Sequence, residues 1–443
     1  MSGEPVLGPD EVAALLARLR DTAAPPAVPY PADADRRQPV HTVYGGAHLF
    51  TSDTAPRLGA LALEALDEFA PDAETFARAI LLTPGVDPEA VYQRMRDKLR
   101  REPVEDFRLD FEDGYGVRPD DEEDATAIAS ATAVARGAAA GTLPPFIGIR
   151  VKSLSGELAR RAVRTLDLFL ATVLERTGGL LPPAFAVTLP KITAADQVAA
   201  LADTCDRLEE RHGLVAGALR VELMVETPQA ILDPDGRCPL FALVRAARGR
   251  AVGAHFGVYD YTAALGITAA QQRVRHVACD LARGLMQIAL AGTGIRLSDG
   301  ATNVMPVGER DTVWRAWRTH VKDVRHALAT GYFQGWDLHP AQLPTRYAAV
   351  FAFFLSGRDA AAARLRAFVE QAARVTLVGD VFDDAATGQG LLNFFLRGLS
   401  CGAFTEAEVL AAGLTTEELR SRSFATILEG RRAARGGAGW PPG

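Results

Sequence analysis

Two short stretches of the chain deliver a carboxylate where an apolar run gives out. One is VELMVETP at 221–228, which ends on Glu226, and the other is FGVYDYTAAL at 256–265, which carries Asp260. Two carboxylates on one rim repel each other. A hard divalent cation, Mg2+ or its substitute Mn2+, relieves the repulsion while keeping waters that substrate oxygens can replace. Other apolar runs end in charge as well: Asp110, Glu112 and Asp113 in LDFEDG, Arg150 and Lys152 in IGIRVKS, Lys191 in LPKI, Asp299 in LSDG, and Asp337 and His339 in DLHP. Arg150 suits a substrate carboxylate, because a planar guanidinium can donate two parallel hydrogen bonds. A cation facing that carboxylate and an adjacent keto oxygen would stabilise the enolate formed when a neighbouring carbon–carbon bond breaks or forms. This is aldol or Claisen chemistry without a Schiff base.

Plainer readings stand beside these. Asp110 and Glu112 can pair with Arg150 across adjacent strands instead of serving near the metal. The run PDDEED before residue 125 reads as a solvated helix start that complements the dipole. Lys191 at a strand end is placed as a Schiff-base lysine would be, a role a metal-carrying barrel does not need. His48, His255 and His339 are of the kind that pack or hydrogen-bond rather than act as bases. No His-Glu-x-x-His, P-loop or strand-linked Gly-x-Gly-x-x-Gly is present.

The elements that would position these residues alternate. Apolar, β-branched runs fall at 41–50, 107–113, 146–152, 184–192, 219–227, 251–261, 294–299 and 332–339. Helical periodicity occupies 56–69, 122–140, 156–176, 194–212, 240–247, 269–291 and 310–330, and 74–101 reads as an inserted helical hairpin around Pro84 and Gly85. Eight strands alternating with helices predict an α/β chain folded as a (β/α)8 TIM barrel, whose strand ends share one rim. A doubly wound open sheet is the competing fold, and it does not gather those ends. Before the barrel, Pro9-Asp10-Glu11 starts a helix that ends before Ala24, and five prolines between 25 and 39 mark a linker. The expected organisation is therefore 1–40 as N-terminal helix and linker, 41–345 as barrel, and 346–443 as a C-terminal helical extension. Within the extension, 346–371 and 405–435 read as helical and 380–390, DVFDDAATGQG, as a loop, with no strand pattern.

The chain has 443 residues, 48% of them hydrophobic, which suffices for one large core. With 48 basic and 55 acidic residues the formal charge is -7, and no basic block suggests a nucleic-acid partner. The first residues lack a signal-peptide pattern, and no stretch reaches the ~20 apolar residues of a membrane helix. A soluble, cytoplasmic protein is expected. Cys205, Cys238, Cys279 and Cys401 lie far apart without a metal-binding spacing and read as reduced thiols.

Taken in order, LDFEDG, IGIRVKS, LPKI, VETPQAI, FGVYDYTAALG, GIRLSDG and GYFQGWDLHPAQLPTRYAAVF resemble the citrate lyase β-chain-like branch of the HpcH/HpaI aldolase family, over about residues 105–355. The resemblance implies a Mg2+-dependent barrel of the phosphoenolpyruvate/pyruvate-binding group, usually oligomeric. It implies action on 2-oxo acids or acyl-CoA thioesters. It makes Glu226 and Asp260 the metal ligands and Arg150 the substrate-carboxylate arginine. It puts Glu112 and Asp113 on the family's acidic strand-two motif and His339-Pro340 on the turn before the C-terminal helices. Lys191 and His339 join Arg150 as substrate contacts, and Glu112 and Asp113 join it as catalytic candidates. In the family the segment after the barrel reaches a neighbouring subunit, so a homo-oligomer is expected.

The chain departs from the family at three places. YGGAHLF replaces its arginine-bearing first strand, RGLSCGAF stands where an Ile-Asp-x-Pro motif should be, and Asp113 holds the place of an aldolase histidine. The first two speak against CoA thioesters, and the third leaves the base unassigned. The resulting expectation is a Mg2+-dependent carbon–carbon lyase acting on a small 2-oxo or hydroxy acid. An acyl-CoA lyase of citramalyl or malyl type and a non-catalytic descendant of the fold are the alternatives.

Overall fold

The apolar, β-branched runs found in the sequence each overlap a strand in the computed structural model of the chain. The structure describes residues 37–182, 184–370, 376–378, 381–383 and 385–434. The expected N-terminal helix and most of the proline-rich linker lie outside the described residues.

Eight parallel strands close into a barrel in chain order: β1 (His41–Gly46), β2 (Asp106–Asp110), β3 (Phe146–Arg150), β4 (Ala186–Leu189), β5 (Arg220–Val225), β6 (Ala251–Phe256), β7 (Arg296–Ala301) and β8 (Gln334–Asp337). The ring is shut by β1 pairing with β8. The fold is thus the (β/α)8 barrel that the alternation predicts. The outward face of the strands is apolar, with Phe107, Leu109, Ile147, Ile149, Val187, Leu189, Val221, Leu223 and Val225 all in the main core. Helices that include Thr54–Phe69, Asp120–Ala140, Leu158–Thr177, Ala195–His212, Val277–Leu290 and Arg310–Ala329 surround it. The hairpin expected in the first connection is present as Ala73–Ile80 and Pro88–Arg101. At Gly148 in β3 a Cβ would lie 1.9 Å from the carbonyl oxygen of Ala186, so the β3–β4 contact admits no side chain there.

The inner face is polar. Arg108 on β2 reaches across the lumen to Glu222 on β5, donating from Nε to Oε2 at 2.9 Å, and it also pairs with Asp106. Glu222 lies 3.2 Å from His255 Nε2 on β6, whose Nδ1 accepts from Trp336 Nε1 at 3.1 Å. Buried ions of this kind persist only when mutually satisfied. Above them Tyr44, Met224, Ala301 and Trp336 form a small apolar layer of their own.

Beyond the barrel the chain runs from the turn Pro340–Gln342 directly into Leu343–Glu370, so this helix begins ahead of the expected boundary at 345. It packs on Arg310–Ala329 and Pro88–Arg101. The segment read as a loop at 380–390 is different in the structure: Val381–Asp383 pairs antiparallel with Thr376–Val378, and a helix, Ala385–Cys401, starts at its alanines. Three further short helices follow, Glu406–Ala411, Thr416–Ser421 and Phe424–Ala434. Among the described residues no helix is long and apolar enough to cross a membrane.

Candidate active site

Pairing of β2 with β3 sets Asp110 opposite Arg150 at the C-terminal rim. Arg150 donates from Nε to Asp110 Oδ1 at 2.7 Å and from Nη2 to Oδ2 at 2.5 Å. Asp110 also accepts from the backbone N–H groups of Glu112, at 3.0 Å, and Gly114, at 2.7 Å, which fixes the turn after β2. The two-toothed face of the guanidinium, expected to grip a substrate, is therefore engaged within the protein. The edge left is Nη1, which lies 3.4 Å from Glu112 Oε2 and 3.7 Å from Asp113 Oδ2. The Tyr44 ring supports the group from one side, 5.1 Å from centroid to guanidinium carbon.

Lys191 follows β4 with a φ of 51°, a left-handed conformation uncommon for a residue with a side chain and typical of constrained functional turns. This conformation aims both of its donors at the rim. Its backbone N–H donates to Glu226 Oε1 at 2.7 Å. Its ammonium donates to Glu112, and to Asp113 Oδ1 at 3.0 Å, and lies 3.7 Å from Asp260 Oδ2. Burial pulls the Lys191 pKa down, but Glu112 and Asp113 outweigh it and hold the group above its ordinary value. A lysine so held is a fixed cation, not a free amine. The two acids it bridges are driven apart: burial, against Arg150, raises Glu112, whereas hydrogen bonding and the two cations outweigh burial and lower Asp113.

Glu226 stands one residue past the end of β5 and is 2% exposed. Its Oε2 meets no donor among the described residues and lies against Gly257, where a Cβ would come within 2.5 Å of it. Burial, opposed by Arg150 and reinforced by Asp260, pushes the Glu226 carboxyl up to about 8. Asp260 belongs not to the strand, which ends at Phe256, but to the first turn of the helix Val258–Ala264. Its side chain is 41% exposed.

A buried carboxylate next to a second one open to solvent is the kind of donor pair that suits a divalent cation keeping several waters. No cluster of three or more His, Cys, Asp or Glu able to ligate a metal occurs among the described residues.

The remaining expected residues fall elsewhere. His339, after β8, lies across the ring from β4. Its Nδ1 accepts from Ala341 N at 3.2 Å, and it lines a cavity of about 130 Å3 with Val43, Leu58 and Leu343. Among the described residues it has no hydrogen bond or ion pair with Lys191, Glu112, Asp113 or Glu226.

Asp299 and Asp337, counted among the rim charges, turn outward instead. The β7 ladder shifts register between Ser298 and Ala301, and Asp299 pairs with Arg283 at 2.8 Å. Asp337 is fully buried between β8 and the helices, accepting from His41 at 2.7 Å, His320 at 3.0 Å and Arg346 at 2.9 Å. Lys152 donates to the Phe111 carbonyl at 2.6 Å and pairs with Glu123 at 3.0 Å. The acidic helix start is thus only partly solvated: Glu123 is buried on Lys152, and Asp124 pairs with Arg161 and Arg164.

The pairing of Asp110 with Arg150 across adjacent strands is one of the two readings the sequence offered; sequence reasoning missed the whole Arg108–Glu222–His255 layer. The available signal was spacing by two: charges at 106, 108 and 110, and at 220 and 222, fall on one face of their strands.

A family model described as a domain of unknown function, DUF6986, matches residues 19–427. No curated protein matches the sequence. Among solved structures the chain is similar to a citrate lyase from Burkholderia xenovorans LB400, 18% identical, covering 86% of this chain and 97% of that one with a TM-score of 0.58. It is also similar to a Haloferax volcanii malate synthase in a magnesium/glyoxylate complex, 15% identical, covering 90% and 98% with a TM-score of 0.45. At these identities the likeness is one of fold.

Proposed function

We propose that this chain, which belongs to the DUF6986 family, is a divalent-cation-dependent carbon–carbon lyase of aldolase type acting on a small 2-oxo or hydroxy acid. One observation carries the reading: Glu226, buried with an oxygen that no donor meets among the described residues and a carboxyl pushed up to about 8, stands beside Asp260 at the mouth of a closed barrel. Glu226 and Asp260 would hold the cation, which when bound would supply Lewis-acid stabilisation of an enolate oxygen.

The chain's own residues account for the rest. Lys191 fixes its acceptor turn through a backbone N–H on Glu226 and sets a permanent positive charge at the rim. Together with the Nη1 edge of Arg150 it gives an anionic substrate two cations to approach. Asp110 and the Tyr44 ring keep the Arg150 guanidinium from swinging. Glu112 and Asp113, with pKa values displaced in opposite directions by their surroundings, form the pair able to hold and move a proton between C3 of the substrate and solvent. His339 stands apart from this cluster and serves at most the far wall of the mouth.

The test is exchange of the C3 protons of pyruvate and oxaloacetate in deuterated buffer, followed by NMR. Exchange that requires Mg2+, stops with EDTA and falls by about 100-fold or more in Glu226→Gln supports the reading. Absence of exchange with both acids, or equal rates in the variant and the EDTA-treated wild type, rejects it.

A further inference from the structure

A cavity of about 530 Å3 lies at the opposite end of the barrel from the candidate active site. It opens where the start of β7 meets the residue pair before β1 and the helix Ala385–Cys401 of the extension. Its wall includes Arg37, Gln38, Arg296, Asn393, Arg397 and Arg422. Among the described residues that line it there is no aspartate or glutamate. The chain as a whole carries a formal charge of -7, whereas the described lining of this concavity carries arginines and no acid.

The four arginines are not equally engaged. Arg37 is neutralised by Glu102 and Glu105, the latter at 2.7 Å, and Arg296 lies 4.0 Å from Glu222. Arg397 has neither a carboxylate nor a hydrogen-bond acceptor for its guanidinium among the described residues. It rests on the face of Phe333, 3.9 Å from guanidinium carbon to ring centroid. Burial lowers its pKa with nothing opposing that shift. Arg397 is half-buried, and without an ionic or hydrogen-bonded partner among the described residues its N–H donors are left available to a ligand. A ring face satisfies the charge in part and leaves the in-plane donors open.

We infer that this basal cavity is a binding site for a small organic polyanion, a molecule bearing two or more phosphate or carboxylate groups, with Arg397 as its central contact. Its volume is in the range of small-ligand pockets, and its guanidinium-rich wall matches the planar, multi-oxygen geometry of either anionic group. The site is separate from the carboxylate-lined mouth, which would repel the same ligand unless a cation were bound.

The experiment uses the full-length protein in EDTA at constant ionic strength, with pyrophosphate and tricarballylate as probes, read by calorimetry and by thermal shift. Saturable binding of either probe is expected, and which one binds assigns the anionic group. Arg397→Gln should weaken it by about tenfold or more. Asn393→Asp, an exposed change that puts a negative charge on the wall, should weaken it as well and decides the matter should Arg397→Gln not fold. Glu226→Gln should leave it unchanged, so failure of the lyase reading would not disturb this result. No saturable binding of either probe would overturn the inference, as would affinities in Asn393→Asp and folded Arg397→Gln equal to wild type, or loss of binding in Glu226→Gln.

Discussion

Removing the charge of Glu226 should make the metal-free protein more stable, and increasingly so as pH rises. In the folded chain its carboxyl titrates at about 8, against an ordinary 4.5. Because the folded pKa is the higher one, the favourable contribution is complete below the unfolded value and is lost as pH rises through the folded value. Across that window the folded state keeps a proton that the unfolded chain has released, which costs stability at about 1.4 kcal/mol per pH unit. By pH 7 the loss accumulates to about 3 kcal/mol, a ceiling that water at the barrel mouth reduces to about 1–3 kcal/mol. Glutamine is isosteric, and its oxygen can still accept from the Lys191 N–H, so Glu226→Gln escapes the loss. The assay is urea denaturation in EDTA at pH 5, 6, 7 and 8. The variant should match wild type at pH 5 and exceed it at pH 8, and saturating Mg2+ should restore the wild type by about 3 kcal/mol at 100 times its Kd while leaving the variant unmoved. A stability difference that is flat with pH, or a wild type that is the more stable at pH 8 without metal, would refute the reasoning.

Two other perturbations follow from the same geometry. Lys191→Met removes the ammonium that lies against Glu112, Asp113 and Asp260; Mg2+ affinity measured by calorimetry should rise about three- to tenfold while KM for an anionic substrate rises by at least as much, and a fall in Mg2+ affinity would show that Lys191 does not compete for those acids. Asp337 is buried, but Arg346, His320 and His41 outweigh that burial and hold its carboxyl well below the ordinary 3.8; its contribution is therefore present above about that pH and lost as pH falls through the lower folded value. Asp337→Asn should cost about 3–5 kcal/mol in neutral denaturation and flatten the loss of stability on acidification below about pH 4, with Mg2+ binding unchanged.

The eight strands were legible because their outward faces, packed against the helices, are apolar and β-branched, as at Ile147, Ile149, Val187, Val221 and Val225. Their ends were not. The run expected at 107–113 continues past Asp110, where the strand stops, because Phe111 is itself buried under the rim. The run at 251–261 likewise hides the break at Gly257 that turns Asp260 into a helix residue. Ionic character at a strand end identified Asp110, Arg150, Lys191 and Glu226 as rim residues. It failed for Asp299 and Asp337, where a register shift in one case and strand alternation in the other turn the side chain toward the helices. The fork between Arg150 and Asp110 needs the β2–β3 register, which no single stretch of sequence contains. The helix starting at Ala385 was hidden by the acids and glycines around it, and packing of Leu391, Leu392 and Phe395 in the core outweighs their poor helix propensity.

The central claim is that Glu226 and Asp260 together hold one divalent cation. Calorimetric titration of Mg2+ into metal-free protein at pH 8 should give one ion per chain, with affinity reduced about 100-fold or more by either Glu226→Gln or Asp260→Asn. Unchanged affinity and stoichiometry in both variants would contradict the account.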